Sequence, residues 1–242
     1  MYRLILVAAW TSSLLLAQGD FVRPVSWKEL APNVLSDQKQ IWTYPARAFK
    51  RKNIVPTLAF LGTTAALIAA DPGEGRYFHN TNSFHGFNQA FSSTNTSLII
   101  LAAPVSMYAA GLIRKDSKLQ RTALLSGQAV ADSEILATVL KAVDRRVRPS
   151  GFTPQGNYWD SWFEGSRTNG SFPSGHTIAA FSVATVISRQ YGTKRRWVPY
   201  VAYGTAALIG FSRLSLGAHF TADVFAGAAL GYAVSRFAVL RN

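Results

Sequence analysis

Six apolar runs, separated by short polar or basic segments, constrain this chain more than any other feature. They are Ile54 to Ala70, Ser97 to Ile113, Thr122 to Val143, Thr177 to Ser188, Val198 to Ser212 and Phe220 to Leu240. Small residues dominate these runs and strand-like alternation is absent, which predicts closely packed helices. Several runs are shorter than the ~20 residues that comfortably span a bilayer. The sequence therefore predicts an all-α bundle of about six core helices, either in a membrane or as a tightly packed soluble domain.

The segments before the first run divide the chain into three predicted parts. Residues 1–19 resemble a signal peptide or a short anchor, with an apolar stretch followed by the small residues of Ala17-Gln18-Gly19. Residues 20–53 form a polar, aromatic-containing arm that would lie on a membrane interface or pack outside the membrane. Residues 54–242 form the helical domain.

Two stretches between the runs are predicted to be non-helical. Asp71 to Thr96 is rich in Gly, Asn, Ser and Phe, and it contains His79 and His85. Ser150 to Phe172 is punctuated by glycines and packed with aromatic residues. A loop of the second kind between helices is expected to form a wall or lid of a substrate site.

Charge and composition limit the classes of function. The formal net charge of +13 favours an anionic partner, either a phosphorylated substrate, anionic lipid or nucleic acid. Nucleic acid is disfavoured because the basic residues form short clusters between apolar runs and no nucleic-acid-binding motif is present. The absence of cysteine excludes disulfides, thiolate nucleophiles and cysteine-ligated metal sites.

Two of the chemistry-bearing blocks suggest anion binding. In the first, Lys141 and Arg148-Pro149 are predicted to place two cations on one helix face near its end, with Pro149 disfavouring helix at Arg148. In the second, Ser174-Gly175-His176 stands directly before an apolar run, where free N–H groups and the helix dipole favour an anion. Taken alone, the first block favours an ordinary basic helix end, whereas the second is equally consistent with an anion site and with a capping or packed histidine.

The third block contains Arg213, His219 and Asp223. His219 and Asp223 are four residues apart, so on a helix their side chains are neighbours. A carboxylate that accepts from one ring nitrogen fixes the tautomer and leaves the other nitrogen free to attack. Such a pair alone is usually a surface contact.

Together the three blocks resemble the signature of the type 2 phosphatidic acid phosphatase and vanadium haloperoxidase superfamily. That signature reads Lys-x6-Arg-Pro, Pro-Ser-Gly-His and Ser-Arg-x5-His-x3-Asp, and every fixed position is present between Lys141 and Asp223. The resemblance implies an acid phosphatase/haloperoxidase-like helical bundle, in a membrane, that needs no metal or other cofactor. The N-terminal third of the chain carries no motif and is assigned only by association.

The resemblance also implies a role for each residue. His219 would attack phosphorus and form a phosphohistidine, Asp223 would orient His219, and His176 would protonate the leaving alkoxide. The remaining site residues would bind the phosphate oxygens; they are Lys141, Arg148, Arg213, the Ser174 hydroxyl and the Gly175 N–H. Neighbouring basic residues such as Arg145 and Arg146 are placed outside the site.

The resemblance leaves several functions to compare. The first is a membrane phosphatase acting on a lipid-like phosphate monoester or pyrophosphate, and the second is a soluble periplasmic acid phosphatase of broad specificity. A vanadium haloperoxidase is less favoured because those enzymes are generally much larger, and an inactive scaffold has no reason to keep every charge. The sequence does not specify the lipid, and it says nothing of the oligomeric state.

The distribution of basic residues predicts the orientation of a spanning bundle. Threading six helices up and down puts the three blocks at one end and most other basic clusters at the opposite end, which the positive-inside rule makes cytoplasmic. A cleaved signal peptide would reverse a six-span protein, so the two predictions conflict. In the spanning and the soluble model alike we expect a site that faces the periplasm or exterior.

Overall fold

The computed structural model describes residues 23–81, 83–153 and 155–241. Within these residues the chain forms nine α-helices and no strand. Three are short or peripheral: α1 (Leu30–Thr43), α2 (Pro45–Ala48) and α4 (His85–Ala90). The six core helices are α3 (Ile54–Asn80), α5 (Ser93–Ile113), α6 (Ser117–Asp144), α7 (Gly175–Tyr191), α8 (Val198–Ser215) and α9 (Thr221–Ala233). A π-helical turn, Val234–Val239, continues α9. The predicted all-α bundle with six core helices is confirmed.

The stretch Asp71 to Thr96 was wrongly predicted to be non-helical. Helix α3 continues through Pro72 and Gly73 to Asn80, α4 follows, and α5 begins at Ser93. Local propensity disfavours a helix here, but side chains of the added turns bond the start of α9, so tertiary contacts override the local preference. The predicted loop between Ser150 and Phe172 is confirmed, apart from the 3₁₀ turn Pro149–Gly151 and Pro154, which lies outside the described residues.

Helix α7 lies at the centre of the bundle, and α6, α8 and α9 pack around it. Small residues make this packing close. A Cβ atom added at Gly227 of α9 would lie 2.8 Å from the carbonyl oxygen of Ser174, and one at Gly210 of α8 would lie 3.0 Å from Val224 of α9 and 3.6 Å from Thr177 of α7. These contacts fix the N-terminal end of α7 against the helices that carry the third motif block.

Four helical segments are long and apolar enough to cross a membrane: Ile54–Phe78, Ser93–Ile113, Ser117–Gly151 and Thr221–Val239. Helices α3 and α5 expose large apolar side chains that a lipid phase would cover, among them Val55, Leu58, Leu98 and Val105. Both observations support a membrane protein, as the sequence favours.

The arm packs against the bundle through buried polar contacts. Arg23 Nη1 bonds both carboxylate oxygens of Asp37, at 2.7 and 2.9 Å, and Gln128 Nε2 of α6 bonds Asp37 at 2.6 Å. Arg241, at the other end of the chain, bonds Gln40 at 2.6 Å. The described part of the arm is thus a packed element, and the signal-like residues 1–19 lie outside the described residues. The domain boundaries at 19 and 53 remain predictions.

Candidate active site

The three motif blocks meet at one end of the bundle. Helix α6 ends there, α7 begins there, and the short connection from α8 to α9 carries His219. The loop from Ser150 to Phe172 covers the same end, as predicted for a site wall. It contributes Asn169, Gly170 and Ser171 to the contacts described below.

The prediction that Lys141 and Arg148 share a helix face is wrong. Helix α6 ends at Asp144, Arg145 is left-handed with φ of 45°, and Arg148 is extended with φ −73° and ψ 152°. The extended backbone at Arg148 is what a residue before proline prefers, as expected from Pro149. The chain therefore turns out of the helix, and the turn itself aims Arg148 into the site.

Arg148 contacts the predicted nucleophile directly. Its Nη1 lies 3.2 Å from His219 Nε2 and donates to the carbonyl oxygen of Ala218 at 3.1 Å. Its Nη2 donates to the Asn169 side chain at 3.0 Å. Lys141 Nζ donates to the carbonyl oxygen of Gly170 at 3.1 Å. Both cations are thus anchored by the same loop at the end of α6.

The second block forms the first turn of α7, as predicted. Ser174 is at the N-cap position, but its hydroxyl accepts a bond from Thr177 Oγ1 at 2.9 Å and caps no backbone N–H. Gly175 lies beside Glu134 of α6. A Cβ atom added at Gly175 would be 3.5 Å from both carboxylate oxygens of Glu134. Gly175 has no side chain to shield the backbone of this turn, and the group nearest to that position is the Glu134 carboxylate.

His176 and Arg213 are both held by the N-terminal end of α5. His176 Nε2 lies 3.1 Å from Ser97 Oγ and 3.2 Å from the carbonyl oxygen of Ser93. Arg213 is buried and donates to Thr96 Oγ1 at 2.8 Å, to Ser93 Oγ at 3.2 Å and to the carbonyl oxygen of Phe91. The sequence analysis missed this role of α5, because no motif marks Ser93 or Ser97.

His219 and Asp223 are neighbours, but not as a pair within one helix. His219 precedes α9, and Asp223 Oδ2 accepts from the N–H of Phe220 at 2.8 Å in the first turn. His219 Nδ1 lies 2.7 Å from the carbonyl oxygen of Ser171 and 3.6 Å from Asp223 Oδ2. We therefore assign the Nδ1 proton to the bond with Ser171, which leaves the Nε2 lone pair directed towards Arg148.

Burial dominates the electrostatics of His219. The side chain is 2% exposed, and this desolvation lowers the pKa of the imidazole from 6.5 to about 4. Asp223 opposes the shift, while the charges of Arg148 and Lys141 lower the pKa further. The ring is consequently neutral at physiological pH, which is the protonation state that a nucleophile requires.

Arg146, which was predicted to lie outside the site, and Asp71 lie directly behind it. Arg146 is 1% exposed and bridges Asp223 and Asp71, with Nη–Oδ distances of 2.7 Å to each. Asp71 belongs to the part of α3 that was predicted to be a loop. The block has three arginines at 145, 146 and 148, and nothing in its spacing distinguishes the buried one.

Of the two histidines outside the motifs, His85 has a described side chain. His85 is exposed and its Nε2 lies 3.1 Å from Gln89 of the same helix. The side chain of His79 lies outside the described part of the chain. Among the described residues, no group of three His, Cys, Asp or Glu side chains is arranged to hold a metal ion.

A comparison with family models matches residues 122–241 to the PAP2 superfamily. These residues include every member of the three blocks. The chain belongs to the PAP2 superfamily. The matched part begins within α6, so α3 and α5, which contact the PAP2 site, lie before it.

The relatives of this PAP2 protein include characterised lipid phosphatases. It is 39% identical over 71 residues to a lipid A 1-phosphatase of Porphyromonas gingivalis, covering 29% of this chain and 16% of that protein. It is 36% identical over 104 residues to a lipid A 1-phosphatase of Rhizobium etli, covering 42% of each. The matches thus span less than half the length of these relatives.

A solved structure resembles most of this chain. This structure is of a transmembrane PAP2-type phosphatidylglycerolphosphate phosphatase from Bacillus subtilis. It matches the chain with a TM-score of 0.52 and a sequence identity of 25%. The match covers 76% of this chain and 92% of that one. This coverage includes helices beyond the family-matched region, and it supports a membrane protein with a PAP2 fold.

Proposed function

We propose that this protein is a metal-independent phosphatase that hydrolyses a lipid-like phosphate ester through a phosphohistidine on His219. The observation that carries the proposal is the environment of His219. Its Nδ1 is held by the Ser171 carbonyl at 2.7 Å, its Nε2 faces Arg148 at 3.2 Å, and burial keeps it neutral. A neutral imidazole with one nitrogen fixed and the other beside a cation is prepared to attack a bound phosphate.

In the first step, the lone pair of His219 Nε2 forms a bond to phosphorus as the ester P–O bond breaks. The hydrogen bond that Arg148 Nη1–H makes to His219 would be replaced by one to a phosphate oxygen. Lys141 and Arg213 would supply further positive charge. The Ser174 hydroxyl and the Gly175 N–H would bind the remaining oxygens at the start of α7. The leaving alkoxide takes a proton from His176.

In the second step, water attacks the phosphohistidine and gives its proton to His176, while the P–N bond breaks and returns the electron pair to Nε2. Inorganic phosphate and the alcohol are the products. Because His176 Nε2 already contacts Ser93 and Ser97, proton transfer uses Nδ1 or a rotation of the ring. The cations of the site come from side chains, so the proposed reaction has no step that requires a metal.

The membrane-capable helices support a lipid-like substrate. Apolar faces of α3 and α5 lie beside the site, so an acyl or prenyl chain can contribute binding energy that a soluble phosphate lacks. The similarity to a lipid A 1-phosphatase and to a phosphatidylglycerolphosphate phosphatase supports the same class of substrate. We propose a site facing the periplasm or exterior.

Phosphate release by the purified protein in detergent, with a chelator present, tests the proposal. The panel contains lipid A 1-phosphate, phosphatidylglycerol phosphate, phosphatidic acid, a polyprenyl pyrophosphate and glucose phosphate. We expect higher kcat/KM on the lipids and inhibition by vanadate. Equal efficiency on glucose phosphate would favour a broad-specificity phosphatase instead.

The variant His219→Ala tests the nucleophile, with His85→Ala as the matched control. We expect His219→Ala to lose turnover and the acid-labile phosphoprotein, and His85→Ala to keep both because His85 is exposed and outside the site. The loss in kcat is expected to exceed about a thousandfold. Undiminished turnover by a folded His219→Ala protein would refute the assignment.

A further inference from the structure

Arg146 is a buried guanidinium whose hydrogen bonds all go to protein groups. Its Nη1 donates to Asp223 Oδ1 and its Nη2 to Asp71 Oδ2, both at 2.7 Å, and its Nε donates to Ser161 Oγ at 3.2 Å. Buried arginines are normally paired in this way, because an isolated charge is strongly unfavourable away from water. Arg146 therefore has a structural partner on each side.

Two aromatic rings lie against the same guanidinium. The Cζ atom lies 4.4 Å from the centre of the Trp162 ring and 4.1 Å from the centre of the Phe220 ring. The side chain is 1% exposed and each of its three nitrogens donates to a protein group, so a phosphate oxygen has no ready access to it. Arg146 consequently differs from Arg148, which lies against the attacking nitrogen, and it acts on the reaction only through other residues.

Asp71 joins this arginine to the backbone that carries the nucleophile. Its second oxygen, Oδ1, accepts from the N–H of Ala222 at 3.2 Å, and one turn later Glu74 Oε2 accepts from the N–H of Thr221 at 2.9 Å. These N–H groups belong to the first turn of α9, which has no intrahelical acceptors for them. Helix α3 thus fixes the turn that immediately follows His219.

The three charges form a row that ends at the imidazole. Asp71 is negative, Arg146 positive and Asp223 negative, and Asp223 Oδ2 lies 3.6 Å from His219 Nδ1. The other charges that act on His219 are Lys141 of α6 and Arg148 beyond its end, which favour the neutral ring. Because all three members of the row are buried, their mutual influence is weakly screened.

We propose that Arg146 and Asp71 are a positioning pair that holds Asp223 and sets how readily His219 takes up a proton. The proposal rests on the proposed function for its catalytic consequence but not for its electrostatic one. It assigns a catalytic contribution to α3, a helix outside the family-matched region, through residues that no motif marks. It also predicts that the two partners act in opposite directions.

The opposite signs follow from the order of the charges. Without the Arg146 charge, Asp223 is less compensated and stabilises the imidazolium, so the pKa of His219 rises. Without the Asp71 charge, Arg146 is less compensated and opposes the imidazolium, so the pKa of His219 falls. A pair that only supports the fold would shift this pKa in one direction or not at all.

The experiment compares Arg146→Gln, Asp71→Asn and the double variant with wild type. The chain has 4 histidines, so ¹³C-labelled histidine gives few ring signals in detergent-solubilised protein, and His219→Gln identifies the one that matters. We expect the titration midpoint of His219 to rise by about one pH unit in Arg146→Gln, to fall in Asp71→Asn, and to return towards wild type in the double variant. Arg145→Gln serves as the control, because the Arg145 side chain donates to the backbone carbonyl oxygen of Phe163 instead. This variant should leave the His219 midpoint unchanged.

Kinetics provide the second readout. With a soluble aryl phosphate, both single variants should lose about tenfold or more in kcat with KM within about threefold, because neither residue touches the substrate. In the titration experiment, Arg146→Lys keeps the charge, so the His219 midpoint should stay near the wild-type value. If Arg146→Gln does not fold, the direction of the midpoint shift in Asp71→Asn tests the proposal.

Midpoints that are unmoved, or that move in the same direction, in folded variants would overturn the positioning pair. Failure of wild-type protein to release phosphate, with the opposite shifts still observed, would reject the proposed function while leaving the pair in place.

Discussion

At the scale of single residues, the immediate surroundings of His219 determine the proposed chemistry. The backbone carbonyl of Ser171 is the closest acceptor for Nδ1, and Asp223 stands further away with its charge shared among Arg146, Ser171 and the Phe220 N–H. Asp223 therefore acts on His219 chiefly through its field and through the turn that it caps.

The pKa of His219 leads to a pH prediction. The neutral ring is the nucleophile, and burial lowers its pKa to about 4, so formation of the phosphoprotein should persist well below the ordinary histidine value of 6.5. Below about pH 4 the rate should fall about tenfold for each pH unit.

Rapid-quench measurement of phosphoprotein formation from an aryl phosphate checks this prediction, because a good leaving group needs no proton from His176. The rates are corrected for titration of the phosphate itself. A fall in the rate centred near pH 6.5 would contradict a buried neutral imidazole.

The lowered pKa of His219 should also lower the free energy of unfolding as the pH falls from about 6.5 to about 4. Over this range the unfolded chain binds a proton that the folded chain does not.

At the scale of elements, α3 supplies the largest departure from the sequence prediction. Its last turns contain Pro72, Gly73 and Gly75, which favour a loop when considered locally. They form a helix because its carboxylates bond α9 and because Gly75 permits close approach. A Cβ added at Gly75 would lie 2.8 Å from the Phe220 ring, whereas one at Gly73 would meet nothing within 4 Å.

These two glycines provide a matched pair of substitutions. Gly75→Ala should destabilise the protein by about 1–3 kcal/mol, because the added methyl overlaps the ring that covers Arg146. Gly73→Ala should be neutral or stabilising by about 0.5–1 kcal/mol, because alanine is the better helix former and has room. Thermal or denaturant unfolding in detergent measures both, and equal effects would show that α3 does not pack on Phe220 as described.

At the scale of the whole molecule, the bundle separates the site from most of the basic clusters. The motif blocks lie where α6 and α8 end and α7 and α9 begin, while the arm and the C-terminal Arg241 associate with one another through Asp37 and Gln40. In a spanning bundle the positive-inside rule places the basic end in the cytoplasm. On this basis we propose that the site faces the periplasm or exterior.

Single cysteines in this cysteine-free chain test the orientation. We expect Gln155→Cys, in the exposed loop at the site, to react with an impermeant reagent in intact spheroplasts. Lys194→Cys, exposed between α7 and α8 at the opposite end, should react only after lysis. The reverse pattern would place the site in the cytoplasm, and a reporter fused after Asn242 should independently give a cytoplasmic signal.

Much of the fold and the candidate site was determined locally and is readable from the sequence. Apolar runs of small residues specify where helices form, since helix packing needs only a continuous apolar, closely approachable surface. The motif blocks identify Lys141, Arg148, His176, Arg213 and His219, because phosphate chemistry requires cations and a nucleophile of these types at helix ends.

Only the tertiary structure determined how these residues are held. The exit of Arg148 from the helix, the Ser171 carbonyl on His219, and the anchoring of His176 by α5 depend on backbone that approaches from distant parts of the chain. The burial of Arg146 between Asp71 and Asp223 is of the same kind. Residue spacing in the sequence predicts only which side chains are neighbours along a helix. The ion-pair partners that bury Arg146 lie 75 and 77 residues away from it in the chain.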